Sequence, residues 1–378
     1  MKVLFISEGK IFCAENGKKY EIPCERISKY KAAISDINRR KEWKNGEGAR
    51  FTGMMERRVD ENSVYAKAVG VTPYGDGLIY ALMLDSSVNI YSRSYDPSDT
   101  SEGLIISSND FGTESIAYNG EKLAFSQNFG EESHISVLEP PSAAYDEVTE
   151  GDSKERSLHF SNCRKDRLYF STSGNGRDEN GFLRAQGPLG GAYADIDTGN
   201  MGELLSDDRY DYISLQDDEQ GNLYYIRQPY GGEHPDDRVS VGDILLAPFR
   251  LLKALGNYLN FMSVMWGGRS LDGKDPEKML TERARNMAPK DMIIDGNVIS
   301  AKELAKKDDE DGRSIIPLSR VLIRKTGDEE EVLAKGVLDF HIKGDTLIYS
   351  DGRSIYTLEN GTKEKVCKAF LAGSLHIV

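Results

Sequence analysis

Apolar and polar residues alternate in short runs along most of this chain, and Gly, Asp or Asn closes nearly every run. Alternation of period two bounded by turn residues predicts half-buried strands rather than helices. One phrase occurs twice. Residues 4–24 read LFISEGKIFCAENGKKYEIPC and residues 347–367 read LIYSDGRSIYTLENGTKEKVC. Each holds three strands separated by polar turns, SEGK and ENGK in the first copy, SDGR and ENGT in the second.

The later copy is preceded by a further alternating run, VLDFHI at 337–342, which makes it a four-stranded unit. The early copy has only Met1, Lys2 and Val3 before it, and SLHIV at 374–378 is the strand it lacks. A unit built from both ends of a chain is how a β-propeller removes the exposed edges between its first and last blades. The same rhythm recurs between the ends. The second unit is SVYAKAVGV, GLIYALML, VNIYSRSY and GLIISS; the third is ESIAY, KLAFSQ, HISVLE and YDEVT. The fourth is RSLHFS, RLYFSTS, AYADIDT and GELLS, and the fifth begins with DYISLQ and NLYYIRQ and resumes with RVLIRK and EEVLAK.

Setting aside residues 25–62 and 229–313 leaves about 42 residues for each of six units, the spacing of four-stranded blades. The expected fold class is therefore all-β: a single six-bladed β-propeller domain over 1–378, closed by pairing of its N- and C-terminal strands, with two helical insertions. Strands in a blade alternate in direction, so second-to-third-strand loops and blade-to-blade connections open on one face. Both insertions are expected on that face, where they would cap it. The loops reaching it carry Glu8, Asp85, Asn128, Arg177, Arg184 and Asp351, a mixed polar set suited to a charged partner or a small polar ligand.

The phrases YNGEKLAFSQ, CRKDRLYFST, DDEQGNLYYI and KGDTLIYS place a polar turn before an inner strand. In this the chain resembles the TolB-type six-bladed propellers and the propeller domains of prolyl oligopeptidases. It has no Ser-Pro-Asp-Gly turn, and it lacks the Gly-His and Trp-Asp signature of the other large propeller class. The resemblance implies an architecture, and propellers host many activities.

Composition narrows the partners. A formal charge of -14 repels phosphate backbones, and no basic stripe offsets it, so nucleic acid is not expected. The N-terminal apolar stretch runs straight into polar turns, unlike a cleavable signal peptide. Cys13, Cys24, Cys163 and Cys367 have neither CxxC spacing nor the density of a secreted scaffold, and read as buried free thiols in a cytoplasmic protein.

Few segments announce chemistry. No GxSxG, HExxH or phosphate-binding glycine loop occurs, and no catalytic residue, cofactor or metal is assigned. DIDTGNMGE at 195–203 has the acidic look of a calcium loop but not its glycine and terminal acid, so it reads as a hairpin turn. DDEDG at 308–312 reads as a solvated loop after a helix capped by Ser300 and Glu303. His159 and His341 fall on innermost strands and read as structural imidazoles.

Ile27, Tyr30, Ile34 and Ile37 share one face of an amphipathic helix over 27–44. ILLAPFRLLKALGNYLNFMSVMW at 244–266 is a second, with Leu245, Phe249, Leu252 and Leu259 on its contact face and Trp266 at its end. Arg250, Lys253 and Pro248 argue against a membrane span. Burial on protein is expected, with a membrane surface as the lesser alternative.

These readings favour a non-catalytic binding or protein-interaction module using the capped face. The alternatives are a hydrolase or lyase with an axial pocket, and a peripheral membrane-surface protein attached through 244–266.

Overall fold

The computed structural model describes residues 1–45, 66–84, 87–177, 179–180, 183–230, 292–294, 297–299, 314–359 and 361–378. It divides into two compact units, Met1–Tyr230 with Ser314–Val378, and Gly231–Arg313. In the second, the described residues form one antiparallel hairpin, Met292–Ile294 with Asn297–Ile299. The segment 244–266, with its contact face and Trp266, lies outside the described residues, as do Ser300, Glu303 and 308–312.

The first unit is built of antiparallel sheets. β1 (Lys2–Ser7), β2 (Lys10–Glu15) and β3 (Lys18–Ile22) are followed by α1 (Glu25–Asn45), then β4 (Ala66–Tyr74), β5 (Gly77–Leu84), β6 (Ser87–Ser94) and β7 (Gly103–Ser108). β8 (Ile116–Tyr118), β9 (Leu123–Asn128), β10 (Ser133–Leu138) and β11 (Tyr145–Glu147) precede β12 (Ser153–Phe160), β13 (Arg167–Arg177), β14 (Leu183–Gln186), β15 (Gly190–Asp195) and β16 (Asn200–Leu205). β17 (Tyr210–Asp217) and β18 (Leu223–Pro229) come before the second unit; its hairpin supplies β19 and β20. β21 (Val321–Thr326) and β22 (Glu329–Lys335) follow it. β23 (Asp339–Lys343), β24 (Thr346–Ser350), β25 (Ser354–Glu359), β26 (Thr362–Lys368) and β27 (Gly373–Ile377) complete the chain.

Four sheets are four-stranded: β27-β1-β2-β3, β4-β5-β6-β7, β17-β18-β21-β22 and β23-β24-β25-β26. In the first, β27 pairs antiparallel with β1, Val3 opposite Ile377 and Leu4 opposite His376. The turns of the repeated phrase explain its hairpins. Glu8-Gly9 and Asn16-Gly17 are two-residue loops with both central residues at positive φ, the twist that antiparallel strands favour. Gly9 is required for a second reason. A Cβ there would sit 2.7 Å from Lys67 Cβ, and the Gly9 carbonyl accepts the Ala68 N–H of β4 at 2.8 Å.

The expected fold class is corrected in two respects. Among the described residues there is one helix, α1, so two helical insertions sharing a face are not found. Nor do the strands separate into six four-stranded blades, because residues 116–205 form one nine-stranded sheet. Its cause is local. β11 covers only Ser136–Leu138 of β10, which leaves the Ser133 end of that strand open. Ser133 there pairs in parallel with Lys154 of β12; its Oγ accepts the Glu155 N–H at 2.7 Å and donates to the Glu155 carbonyl at 2.6 Å. β13 also runs past its expected end to Arg177 and carries β14 as an added hairpin.

The core lies between consecutive sheets. Leu4, Ile11 and Ile22 pack on Val71, Leu78 and Tyr80, with Ile27 and Tyr30 of α1 against them, while Ile37 on the same helix is exposed. Val3 and Phe5 pack on Ile348 and Ile355, and Leu322 and Ile226 on Phe340 and Leu347. Cys13, Cys24 and Cys367 are buried in these layers, whereas Cys163 is exposed in the β12–β13 turn, against expectation.

The first strand of each group, β27, β4, β8, β12, β17 and β23, is its inner strand, and each touches the next, as β23 touches β27. Their outer edges are paired within the sheets. Their inner edges are tied by side chains that reach the next strand's backbone. Ser374 Oγ accepts the Val71 N–H and donates to the Val71 carbonyl, both at 3.1 Å. The Leu158 N–H donates to Ser115 Oγ at 2.9 Å, and the Leu375 N–H to Asp339 Oδ2 at 3.0 Å. Gln216 Nε2 donates to the Phe340 carbonyl at 2.9 Å while its Oε1 accepts the Ile342 N–H at 3.1 Å.

Gln216 is fully enclosed, so its removal strands a buried amide and carbonyl. Gln216→Ala is expected to lower unfolding free energy by about 2–4 kcal/mol, one to two unsatisfied buried groups, read as a lower urea midpoint at unchanged slope.

Candidate functional site

The six sequence-predicted site residues have different fates. Glu8 is exposed in the β1–β2 turn, at φ 51. Asp85 lies outside the described residues, and Arg184 lies on β14 with its side chain outside them. Asp351 is buried, and its Oδ1 accepts the Arg353 and Ser354 N–H groups at 2.9 Å each, so this carboxylate shapes its own turn.

Asn128 and Arg177 come near one another. Asn128 Nδ2 donates to Glu114 at 2.7 Å, and its Oδ1 caps the β9–β10 turn by accepting the Gly130 N–H. From β13, Arg177 reaches Glu131 and Glu132 in or beside that turn, at 2.9 and 2.6 Å, and Asp152 at 2.5 Å. The guanidinium holds the Asp152 carboxyl below its ordinary range. Phe129 projects from the same turn, about half exposed, its ring near Phe111 and His134. Tyr145 on β11 is also exposed and meets Phe111 and Phe125 edge-on. The result is an aromatic patch beside an Arg and three carboxylates.

A second constellation sits among the inner strands. Ser157-Leu158-His159 on β12 and Ser374-Leu375-His376 on β27 are one repeated tripeptide, and β17 carries Ser214-Leu215-Gln216. All three serines have left-handed backbone, φ 58, 52 and 55, where the strand's register slips. Such bulges re-aim the side chains that follow. The His341 and His376 rings lie 4.9 Å apart, and His341 Nδ1 accepts the Ile377 N–H at 3.3 Å. His159, on the non-adjacent β12, is near enough for its charge to act on His341 and for that of His376 to act on it. β12, β23 and β27 therefore bring the three rings within electrostatic reach of one another.

His159 and His341 keep a minor part of their area accessible, and the protein around them disfavours a charged ring. Desolvation first, and the neighbouring imidazole second, pushes His159 down to about 3. His341 is lowered for the same reasons, and Lys343 adds to them. His376 is pushed down to about 4 by burial, against a hydrogen bond to the Val71 backbone that raises it. Among the described residues no three His, Cys, Asp or Glu side chains gather closely enough to hold a metal ion. The sequence signal for this cluster, the repeated Ser-Leu-His, was available but hidden by its serines, which do not advertise a left-handed bulge as Gly would.

Other polar groups are structural. Asp217 accepts from Ser161 Oγ, the Asn162 N–H, Cys163 Sγ and Tyr169 OH, and burial and this carboxylate push the Cys163 thiol up, opposite to a nucleophile. Glu155 faces a cavity of about 630 Å³, but Thr149 and Ser153 hydroxyls occupy its oxygens at 2.7 Å. In the 195–203 turn Asp195 is paired to Arg167 and Asp197 to Lys122.

No family model and no curated protein sequence matches this chain. Solved structures do. TolB from Acinetobacter baumannii aligns over 99% of this chain and 65% of its own, with TM-score 0.50 and 7% identity. A chain of a nidogen/laminin complex aligns over 100% of this chain and 98% of its own, with TM-score 0.50 and 10% identity. The fold is that of a β-propeller of TolB-like kind. A prolyl endopeptidase aligns over 95% of this chain and 45% of its own at TM-score 0.41 and 9% identity. This propeller spans 65% of the length of the TolB chain.

Two outcomes follow from these sites. Asp351→Ala is expected to cost about 1–3 kcal/mol in urea denaturation, the loss of a buried acceptor of two backbone N–H groups. For the histidines, the unfolded chain binds protons below about pH 6.5 while the folded rings stay neutral to about 4. Stability is thus full above 6.5 and falls as pH drops toward 4. Glu155 and Asp339, raised by burial, act in the opposite sense. Urea midpoints measured across this window should fall with acid, and His376→Gln should flatten the fall.

Proposed function

We propose that this propeller is a protein-binding module that acts without catalysis, through the face carrying the β1–β2, β9–β10 and β24–β25 turns. The observation that carries this reading is the Phe129 patch: two exposed aromatic rings standing on a buried aromatic base, next to an Arg fixed by three carboxylates. Aromatic and Arg side chains of this kind dominate binding energy at protein interfaces because they bury large area at little entropic cost. Arg177 neutralises only part of the charge of Glu131, Glu132 and Asp152, and the chain as a whole is at -14. The fitting partner presents an apolar anchor flanked by Lys or Arg. The fold it shares with one chain of a nidogen/laminin complex is consistent with binding protein surfaces.

The test is affinity capture with immobilised native protein, Phe129→Ala, Glu131→Lys, and Leu104→Ala as an exposed control on β7. Proteins retained by the native chain and the control should be lost from the first two variants, whose own stability should change by about 0.5 kcal/mol or less. An identical retained set on all four would end this reading.

A further inference from the structure

The inner-strand cluster lies at the other end of the strands from the Phe129 patch. His159 and His376 follow the bulges on β12 and β27, His341 lies in the middle of the regular strand β23, and Lys343 closes that strand. Because His341 Nδ1 accepts the Ile377 N–H, its neutral ring carries the proton on Nε2 and has a donor to offer. The Lys343 ammonium stands 3.5 Å from the Ile377 carbonyl, and its charge acts on both His341 and His376. His159 makes no hydrogen bond among the described residues. Asp339, two residues before His341 on β23, has both oxygens engaged, Oδ1 by the Phe340 N–H and Oδ2 by the Leu375 N–H.

We propose that this centre, formed by His159, His341, His376 and Lys343, binds a small oxyanion, a carboxylate or a phosphate, and takes up protons as it does so. His341 Nε2 and the Lys343 ammonium are donors there, the His159 ring has no hydrogen-bond partner among the described residues, and Asp339 spends both oxygens on backbone N–H groups. The imidazoles are neutral because burial and mutual repulsion oppose their charge. An oxyanion among them removes both obstacles, since it replaces lost solvation with charge-assisted hydrogen bonds and offsets the repulsion. Each imidazole that gains a proton becomes an imidazolium paired to the anion, so charge balances as the ligand enters. By linkage, acid must then strengthen binding, and the anion must raise the histidine pKa values.

The chain has five histidines, few enough for their ring Cε1–H resonances to be assigned by substitution. The experiment is a pH titration of those resonances in the native protein with acetate, with inorganic phosphate, and with chloride at matched ionic strength. Acetate or phosphate should bring the His159 titration up into the accessible range, and whichever acts more strongly identifies the ligand class. Lys343→Gln should weaken that effect about tenfold, one charge-assisted hydrogen bond. His159→Asn, which breaks no hydrogen bond of the fold, should reduce proton uptake measured calorimetrically in two buffers. Shifts as large with chloride as with either oxyanion would overturn the proposal, and so would no response to any of the three. Binding left unchanged in both variants would overturn it as well.

Discussion

The constraint on which this structure depends is that the inner strands have one edge with little or no strand partner: among the described residues only β12 is paired on both edges, and on its second edge only at Lys154. Backbone N–H and C=O groups left buried along such an edge are costly. Adjacent inner strands splay too far apart to pair backbone to backbone, so side chains span the gap: Ser374 to Val71, Ser115 to Leu158, Gln216 to Phe340 and Ile342, Asp339 to Leu375, His341 to Ile377. Apolar layers between the sheets supply most of the driving force for folding. These polar links set how each sheet is placed against the next, since each is satisfied in only one arrangement.

The bulged serines belong to the same device. A regular strand would turn Leu158, Leu215 and Leu375 and the polar residue after each to alternate faces of a straight ribbon. A left-handed serine bends the strand so that the leucine stays fully buried while the following His159, Gln216 or His376 turns toward the centre. Gln216 uses that position for structure. Of the histidines at the equivalent positions, His376 also bonds backbone, at Val71, while His159 has no ring nitrogen engaged among the described residues.

The two ends of the strands are thus chemically distinct. At one, Phe129 and Tyr145 stand exposed beside the ion pairs of Arg177 with Glu131, Glu132 and Asp152. At the other, His159, His341 and His376 with Lys343 stand within electrostatic reach of one another. The surroundings of Arg177 are acidic, with Glu131, Glu132 and Asp152 against one guanidinium.

Much of the fold is legible in the chain because a strand's pattern is local. Period-two alternation and the turn residues of SEGK and ENGK specify the hairpins at 2–22 with no help from distant contacts, and the repeat of that phrase at 347–367 specifies the four-stranded sheets to which the two copies belong. What tertiary structure alone decided are outcomes set by contacts between segments far apart. The short β11 let Ser133 capture Glu155 and fused two sheets. Asp351 turned inward to hold its own loop while Arg177, on an unforeseen extension of β13, found three carboxylates from two other loops. The histidines at 159, 341 and 376 are scattered in sequence, and only the facing of three inner strands makes them one site. Alternation states which side of a strand is buried; it carries no information about which other strand that side will meet.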